Sequence, residues 1–269
     1  MTDIVPRLGL GTSGNDDPEQ CAESVRTALE TGYRHIDTAQ MYDNERAVGD
    51  GIAAADVDRE EVFVATKIHP ENLAPADVRD TAQARLDRLA LEYVDLLYVH
   101  WPLSAYEPAE TLPAFDALHE AGLTRHVGVS NFTPALLAEA DDLLEAPIVA
   151  NQVEIHPLLP PRDELVAACV ERDIDLVAYA PFCRGEALEN PVVQTVAEER
   201  GISPAQVCLA WLFEQGVAPI PKATGGAHIR DNYAGLEVDL TDEELARIDA
   251  IDRRYRRFDP DGAPWATPT

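Results

Sequence analysis

Eight short apolar runs rich in β-branched residues recur along the chain with amphipathic stretches between them, and this period constrains the fold more than any single motif. The runs are RLGLGTS at residues 7–13, HIDTA at 35–39, VFVATK at 62–67, YVDLLYVHW at 93–101, HVGVSN at 126–131, PIVANQVEI at 147–155, IDLVAYA at 174–180 and VAPIPKA at 217–223. They are apolar nearly throughout rather than alternating, so each is expected to be covered on both faces, as strands are in a parallel sheet wrapped by helices. The segments between them carry helix signals. DPEQCAESVRTALETG runs from an acidic, proline-bearing first turn to Gly32 as a C-terminal cap; residues 74–91 repeat apolar side chains at spacings of three and four; TPALLAEADDLLE offers Thr133 as N-cap and Pro134 at the first helical position. Residues 161–173 and 203–216 follow the same pattern. Eight βα units in 269 residues predict an α/β fold of the (β/α)8 TIM-barrel class, a single domain over residues 1–269.

In such a barrel, reacting groups come from the C-terminal ends of strands and the loops that follow. Here Asp37 ends the second run, Lys67 the third, His100 stands near the end of the fourth, Ser130 and Asn131 close the fifth, Asn151 and Gln152 lie in the sixth, Tyr179 near the end of the seventh and Lys222 near the end of the eighth. Each has a structural reading taken alone: a cap, a solvated rim lysine, a satisfied core histidine. Taken together they favour a shared site, because a lysine and an aspartate inside apolar runs are costly to bury unless paired. The types present suit one kind of chemistry. A tyrosine titrates near 10 in water, and a neighbouring ammonium lowers that value while a carboxylate keeps the ammonium charged. Asp37, Tyr42, Lys67 and His100 form a set suited to protonating a carbonyl oxygen while hydride arrives from elsewhere.

Charge narrows the partners. With 49 Asp plus Glu against 21 Lys plus Arg the formal net charge is −28, which argues against nucleic acid. A charge of that size repels itself in dilute buffer and is screened in molar salt, so a halophilic cytoplasm is the expected setting. No apolar run approaches the roughly 20 residues that span a bilayer, and MTDIVPRLGLGT lacks the features of a signal peptide, so neither membrane insertion nor export is expected. Cys21, Cys169, Cys183 and Cys208 show no metal-ligand spacing and are expected as buried, reduced thiols; no metal is expected. The arginines of the tail, Arg253, Arg254, Arg256 and Arg257, are expected to pair with acidic surface groups.

The motifs in register resemble those of the aldo/keto reductases. GYRHIDTAQMYDNERAVG is similar to that family's signature around its aspartate and tyrosine; VFVATK carries the lysine, VDLLYVHWP the histidine, and HVGVSNF, NQVEIHP, VAYAP and PIPKA follow in order. The resemblance runs from GLGT to the FDPDGAPW tail and is strongest toward compact microbial reductases of diketogluconate and small aldehydes. It implies a cytoplasmic, monomeric NADP(H)-dependent reductase of a small aldehyde or ketone, with NAD(H) accepted. It implies Tyr42 as general acid, Lys67 and Asp37 as its tuning pair, and His100 as the residue directing the carbonyl. Ser130, Asn131 and Gln152 would meet the nicotinamide carboxamide, with Tyr179 stacked on the ring. Gly11 and Thr12 would line the cofactor, the glycines of GLGT permitting a tight turn, while Asp231 and Asn232 would contact adenine.

Two departures stand out. The family's 2′-phosphate readers, a lysine, a serine and an arginine, are here Lys222, Ala223 and His228, which weakens bidentate recognition of a phosphate. A tryptophan frequent after GLGT is here Ser13, leaving Trp101, Phe182 and Trp265 as candidate apolar walls for substrate. Two other readings remain open at this point: an aldolase using Lys67 as a Schiff base, and a cofactor-binding regulatory subunit with little turnover.

Overall fold

A computed structural model of the protein describes residues 4–266. Its strands and helices alternate: β1 (Leu10–Gly11), α1 (Pro18–Thr31), β2 (His35–Asp37), α2 (Glu45–Ala54), β3 (Phe63–Ile68), α3 (Pro75–Leu89), β4 (Val94–Val99) and α4 (Pro108–Glu120). There follow β5 (Thr124–Ser130), α5 (Pro134–Leu143), β6 (Ile148–Glu154), α6 (Asp163–Glu171), β7 (Asp175–Tyr179), α7 (Pro191–Arg200), α8 (Pro204–Glu214), β8 (Val217–Pro219), α9 (Gly226–Ala234) and α10 (Asp242–Asp249). All eight strands pair in parallel with their sequence neighbours. The sheet closes on itself, because the Gly9 amide donates to the Pro219 carbonyl at 3.0 Å and the Gly11 amide to Pro221 at 3.1 Å. This is the expected (β/α)8 barrel.

Closure explains the glycines of GLGT. Neither Gly9 nor Gly11 adopts a positive φ, so the expected tight turn is not their reason. A Cβ on Gly11 would sit 2.5 Å from the Ile220 carbonyl oxygen, and only glycine lets β1 approach the end of β8 that closely. The eighth strand is also shorter than its sequence run, since Pro219 and Pro221 have no N–H to donate; Lys222 lies beyond it, in an isolated bridge to Gly11.

Two apolar layers hold the barrel. One lies between strands and helices, built on residues such as Val64, Leu97, Val129, Leu209 and the fully buried Trp211. The other fills the bore, where Ala65, Leu96, Tyr98, Ala150, Val177, Ala218 and Ile220 meet Val5. Several helices start as their sequence implies, with Asp17, Thr133 and Ser203 accepting N-terminal amides through their side chains. Asn44 differs. It precedes α2 as a cap would, but its side chain makes no cap bond and instead donates to the carbonyls of Thr12 and Asn15, at 2.9 and 3.3 Å. Buried loop carbonyls need donors, and that need outweighs the helix start. Glu45 pairs with Arg85 at 3.3 Å and also accepts from Thr66 at 2.7 Å.

The tail crosses the rim with little regular structure. Arg253 pairs with Glu186 at 2.6 Å, Arg257 reaches the same carboxylate at 3.8 Å, and Arg256 lies 4.0 Å from Glu154. Arg254 departs from the expected pairing and donates to the backbone carbonyls of Ile251, Arg253 and Asp249. No helix among the described residues is long and apolar enough to cross a membrane.

Candidate active site

Side chains alternate along a strand, so the residue two past a bore-lining position also faces the bore, one layer nearer the C-terminal mouth. Lys67 follows Ala65 in this way, His100 follows Tyr98, Gln152 follows Ala150 and Tyr179 follows Val177, with Asp37 opposite Ala65 across the β2–β3 pair. The polar groups read at the strand ends therefore form the topmost layer of one bore.

Asp37 organises that layer. One carboxylate oxygen is hydrogen-bonded by the Lys67 ammonium and the other by the Gln152 side chain at 2.8 Å, all three groups being essentially sealed from solvent. Lys67 also donates to the Thr38 carbonyl at 2.8 Å, and its Nζ lies 5.3 Å from the centre of the Tyr42 ring. Tyr42 ends a short helical turn, Gln40–Tyr42, whose backbone places its hydroxyl against Lys67 and the side chain of Ser13. The His100 ring stands edge-on to it, centroids 6.0 Å apart at 85°.

Burial dominates the titration of this set. It pushes the Tyr42 phenol above its ordinary value, and Lys67 pulls the other way without reversing it, so the lowering expected from the ammonium is a correction within a net rise. Burial alone would lower the Lys67 ammonium, yet Asp37 and Tyr42 outweigh it and hold the group above its usual value. Burial, then Lys67 and His69, hold His100 well below the ordinary imidazole range, so it is neutral at pH 7. A Schiff base needs an uncharged amine free to approach a carbonyl. Lys67, charged, buried and bonded to Asp37 and Thr38, does not supply one.

Around the rim, the Ser130 hydroxyl donates to the Gln152 carbonyl at 2.8 Å, and the Asn131 amide nitrogen donates to Ser130 Oγ at 3.0 Å and to the His100 carbonyl at 3.3 Å. The Tyr179 hydroxyl donates to Asn131 Oδ1 at 2.9 Å while its ring remains partly exposed. An aromatic face beside buried amide and hydroxyl groups fits a flat ring bearing a carboxamide. Thr12 is buried and donates to the Asp37 carbonyl at 3.0 Å, so its hydroxyl is engaged in holding β1 to β2. Across the barrel, Lys222 and His228 are exposed, the latter in the first turn of α9, and Asn232 is buried. The Asp231 carboxylate is bound to Ser203 at 2.6 Å and Gln206 at 3.0 Å, which fastens α9 to the start of α8. Of the candidate apolar walls, Trp101 and Trp265 meet with centroids 5.6 Å apart, whereas Phe182 packs on the layer between strands and helices. Sequence reasoning missed Ser13 as a partner of Tyr42; its place one residue after GLGT was the available signal.

These features can be set beside known proteins. A model of the aldo/keto reductase family matches residues 7–253. The chain belongs to the aldo/keto reductase family. It is 38% identical over 261 residues to the 9,11-endoperoxide prostaglandin H2 reductase of Trypanosoma cruzi, covering 96% of this chain and 92% of that one. It is 37% identical to the methylglyoxal reductase DkgB of Yersinia pestis, over 96% and 97% of the two chains. Among solved structures, the aldose reductase of Giardia lamblia superposes with a TM-score of 0.91 at 33% identity, covering 100% and 99%. The Bombyx mori aldo-keto reductase in complex with NADP gives 0.87 at 32% identity, covering 95% and 92%. This aldo/keto reductase is thus an NAD(P)-dependent oxidoreductase that reduces carbonyl compounds.

Proposed function

We propose that the protein reduces a small aldehyde or ketone to the alcohol with Tyr42 as proton donor, using NADP(H) and accepting NAD(H), and that it acts as a monomer in the cytoplasm. The observation that carries this reading is the buried relay of Asp37, Lys67 and Tyr42 beside a neutral His100. The nicotinamide supplies hydride when bound. Everything else falls to the chain. A phenol held protonated at neutral pH has its proton to give, and Lys67 stabilises the phenolate left as negative charge develops on the carbonyl oxygen. Asp37 keeps Lys67 charged and aimed; His100, uncharged, orients the same oxygen through a ring nitrogen. Ser130, Asn131 and Gln152 would hold the carboxamide, Tyr179 would face the ring, and Gly11 and Thr12 would back the cofactor. Lys222, His228, Asp231 and Asn232 would lie along its adenosine end. Trp101 and Trp265 would wall the substrate, with Phe182 behind the loop that follows β7.

The relative named for methylglyoxal makes that compound the first aldehyde to try. The test is oxidation of NADPH and NADH in molar salt with methylglyoxal and a panel of aldehydes and ketones. Turnover with NADPH is expected. Absence of turnover with either cofactor across the panel, by protein shown to be folded, overturns the reading.

A further inference from the structure

Glu154 ends β6 with a carboxylate that the relay does not use. Its side chain is fully buried, where a charge is costly unless satisfied. Oε1 accepts the Arg257 amide at 2.6 Å and meets His156 Nε2 at 3.0 Å, while Oε2 accepts the Phe258 amide at 2.9 Å and lies 4.0 Å from the Arg256 guanidinium. Two of the donors are consecutive backbone amides of the tail. Atoms of Glu154, His156 and Cys183 also lie within 4.8 Å of one another, a grouping a cation could enter. Both carboxylate oxygens already accept N–H groups, however, and a cation would have to displace the tail. The cluster is better suited to holding amides than metal.

The anchor's position gives it consequence. Glu154 stands opposite Tyr179 in the β6–β7 register. Phe258, whose amide it holds, sets its ring edge-on to Tyr179, centroids 5.4 Å apart at 82°. Further along the same segment Trp265 meets Trp101, the residue after His100, and the Arg256 guanidinium covers the Trp265 ring at 4.0 Å. One carboxylate therefore fixes a strap that touches Tyr179 at one end and the mouth beside His100 at the other.

We propose that Glu154 is a positioning residue that pins the C-terminal tail across the catalytic rim, and so sets how the cofactor ring seats on Tyr179 and how substrate meets Trp101 and Trp265. This rests on Tyr179 being the ring platform. The test pairs hydrogen exchange on cofactor-free protein with steady-state kinetics of Glu154→Gln, which keeps one acceptor oxygen and turns an NH2 toward the second amide. The Arg257 and Phe258 amides should exchange at least about tenfold faster with the barrel strands unchanged. KM for NADPH and aldehyde should rise about five- to tenfold while kcat stays within about threefold, a split that general loss of fold does not produce. Phe258→Ala should reproduce the KM rise and add nothing to Glu154→Gln in the double variant; if Glu154→Gln does not fold, Phe258→Ala alone decides by the same split. Unchanged amide protection, or unchanged KM values with the strap loosened, overturns the proposal. Failure of the wild-type protein to bind NADPH in a fluorescence titration would instead overturn the platform reading, leaving the exchange result to decide the anchor.

Discussion

Asp37 and Lys67 form an ion pair sealed inside the barrel mouth, their side chains 1% and 0% exposed. A buried pair is not a net source of stability by default, but leaving one partner alone is expensive. Lys67→Met strands a carboxylate whose remaining side-chain partner is Gln152. The expected cost is about 3–5 kcal/mol in urea unfolding, with activity lost. Adding Asp37→Asn should recover much of that stability and none of the activity. A single variant costing less than about 1 kcal/mol would show the pair to be far better solvated than its burial implies.

Tyr42→Phe removes one oxygen from a partly exposed ring and leaves the ion pair intact. General-acid catalysis is worth roughly 10²–10⁴ in rate. We expect kcat for aldehyde reduction to fall within that range, with NADPH affinity within about twofold of wild type and the melting temperature unchanged. Comparable losses in kcat and in cofactor affinity would place Tyr42 in binding rather than proton transfer.

The barrel was readable from sequence because its strands are buried on both faces, which leaves long apolar runs broken by helix signals. Strand limits were less readable: residues 217–223 shrink to Val217–Pro219 through the prolines that interrupt pairing. The pairing of Asp37 with Lys67 was readable because an aspartate and a lysine at the ends of apolar runs are too costly to bury singly, so the two had to meet. The approach of Ser13 to Tyr42, and the grip of Glu154 on amides of Arg257 and Phe258, were not. Both join segments far apart in sequence through side-chain placement in irregular backbone, which no period encodes. Asn44 makes a related point, since a residue that suits a cap also suits stray loop carbonyls.

The net charge of −28 predicts a strong salt response. Screening shortens the Debye length from about 10 Å at 0.1 M to about 3 Å at 1 M, which removes repulsion among surface carboxylates but leaves the buried Asp37–Lys67 pair largely untouched. The melting temperature should rise steadily across this range in sodium or potassium chloride. A melting temperature as high in dilute buffer as in molar salt would rule out the halophilic reading.

On the proposed reading, cofactor choice turns on an exposed imidazole. Lys222 and His228 make no ion pair among the described residues, and Ala223 offers no hydroxyl. A guanidinium at position 228 could take a phosphate bidentately. His228→Arg should lower KM for NADPH about tenfold, worth about 1.4 kcal/mol, with little change for NADH. Equal effects on both cofactors would mean that residue 228 meets something other than the 2′-phosphate.

His35 makes stability depend on pH. It is fully buried in β2, neither ring nitrogen has a hydrogen-bond partner among the described residues, and burial pulls it down to about 4, with Asp37 opposing that shift. The unfolded chain binds this proton near pH 6.5 and the folded chain only near 4, so the unfolded state holds more protons between those values. Stability is therefore complete above about pH 6.5 and falls as pH drops toward 4, by at most about 3 kcal/mol from this residue. His100, also held low by burial and by Lys67, acts in the same sense. Urea unfolding at pH 7, 6, 5 and 4 in molar salt should show the decline, and carbon-detected titration should find the His35 ring neutral down to pH 5. His35→Gln should flatten the slope in this window. A wild-type slope that persists unchanged in that variant would assign the acid sensitivity to other groups.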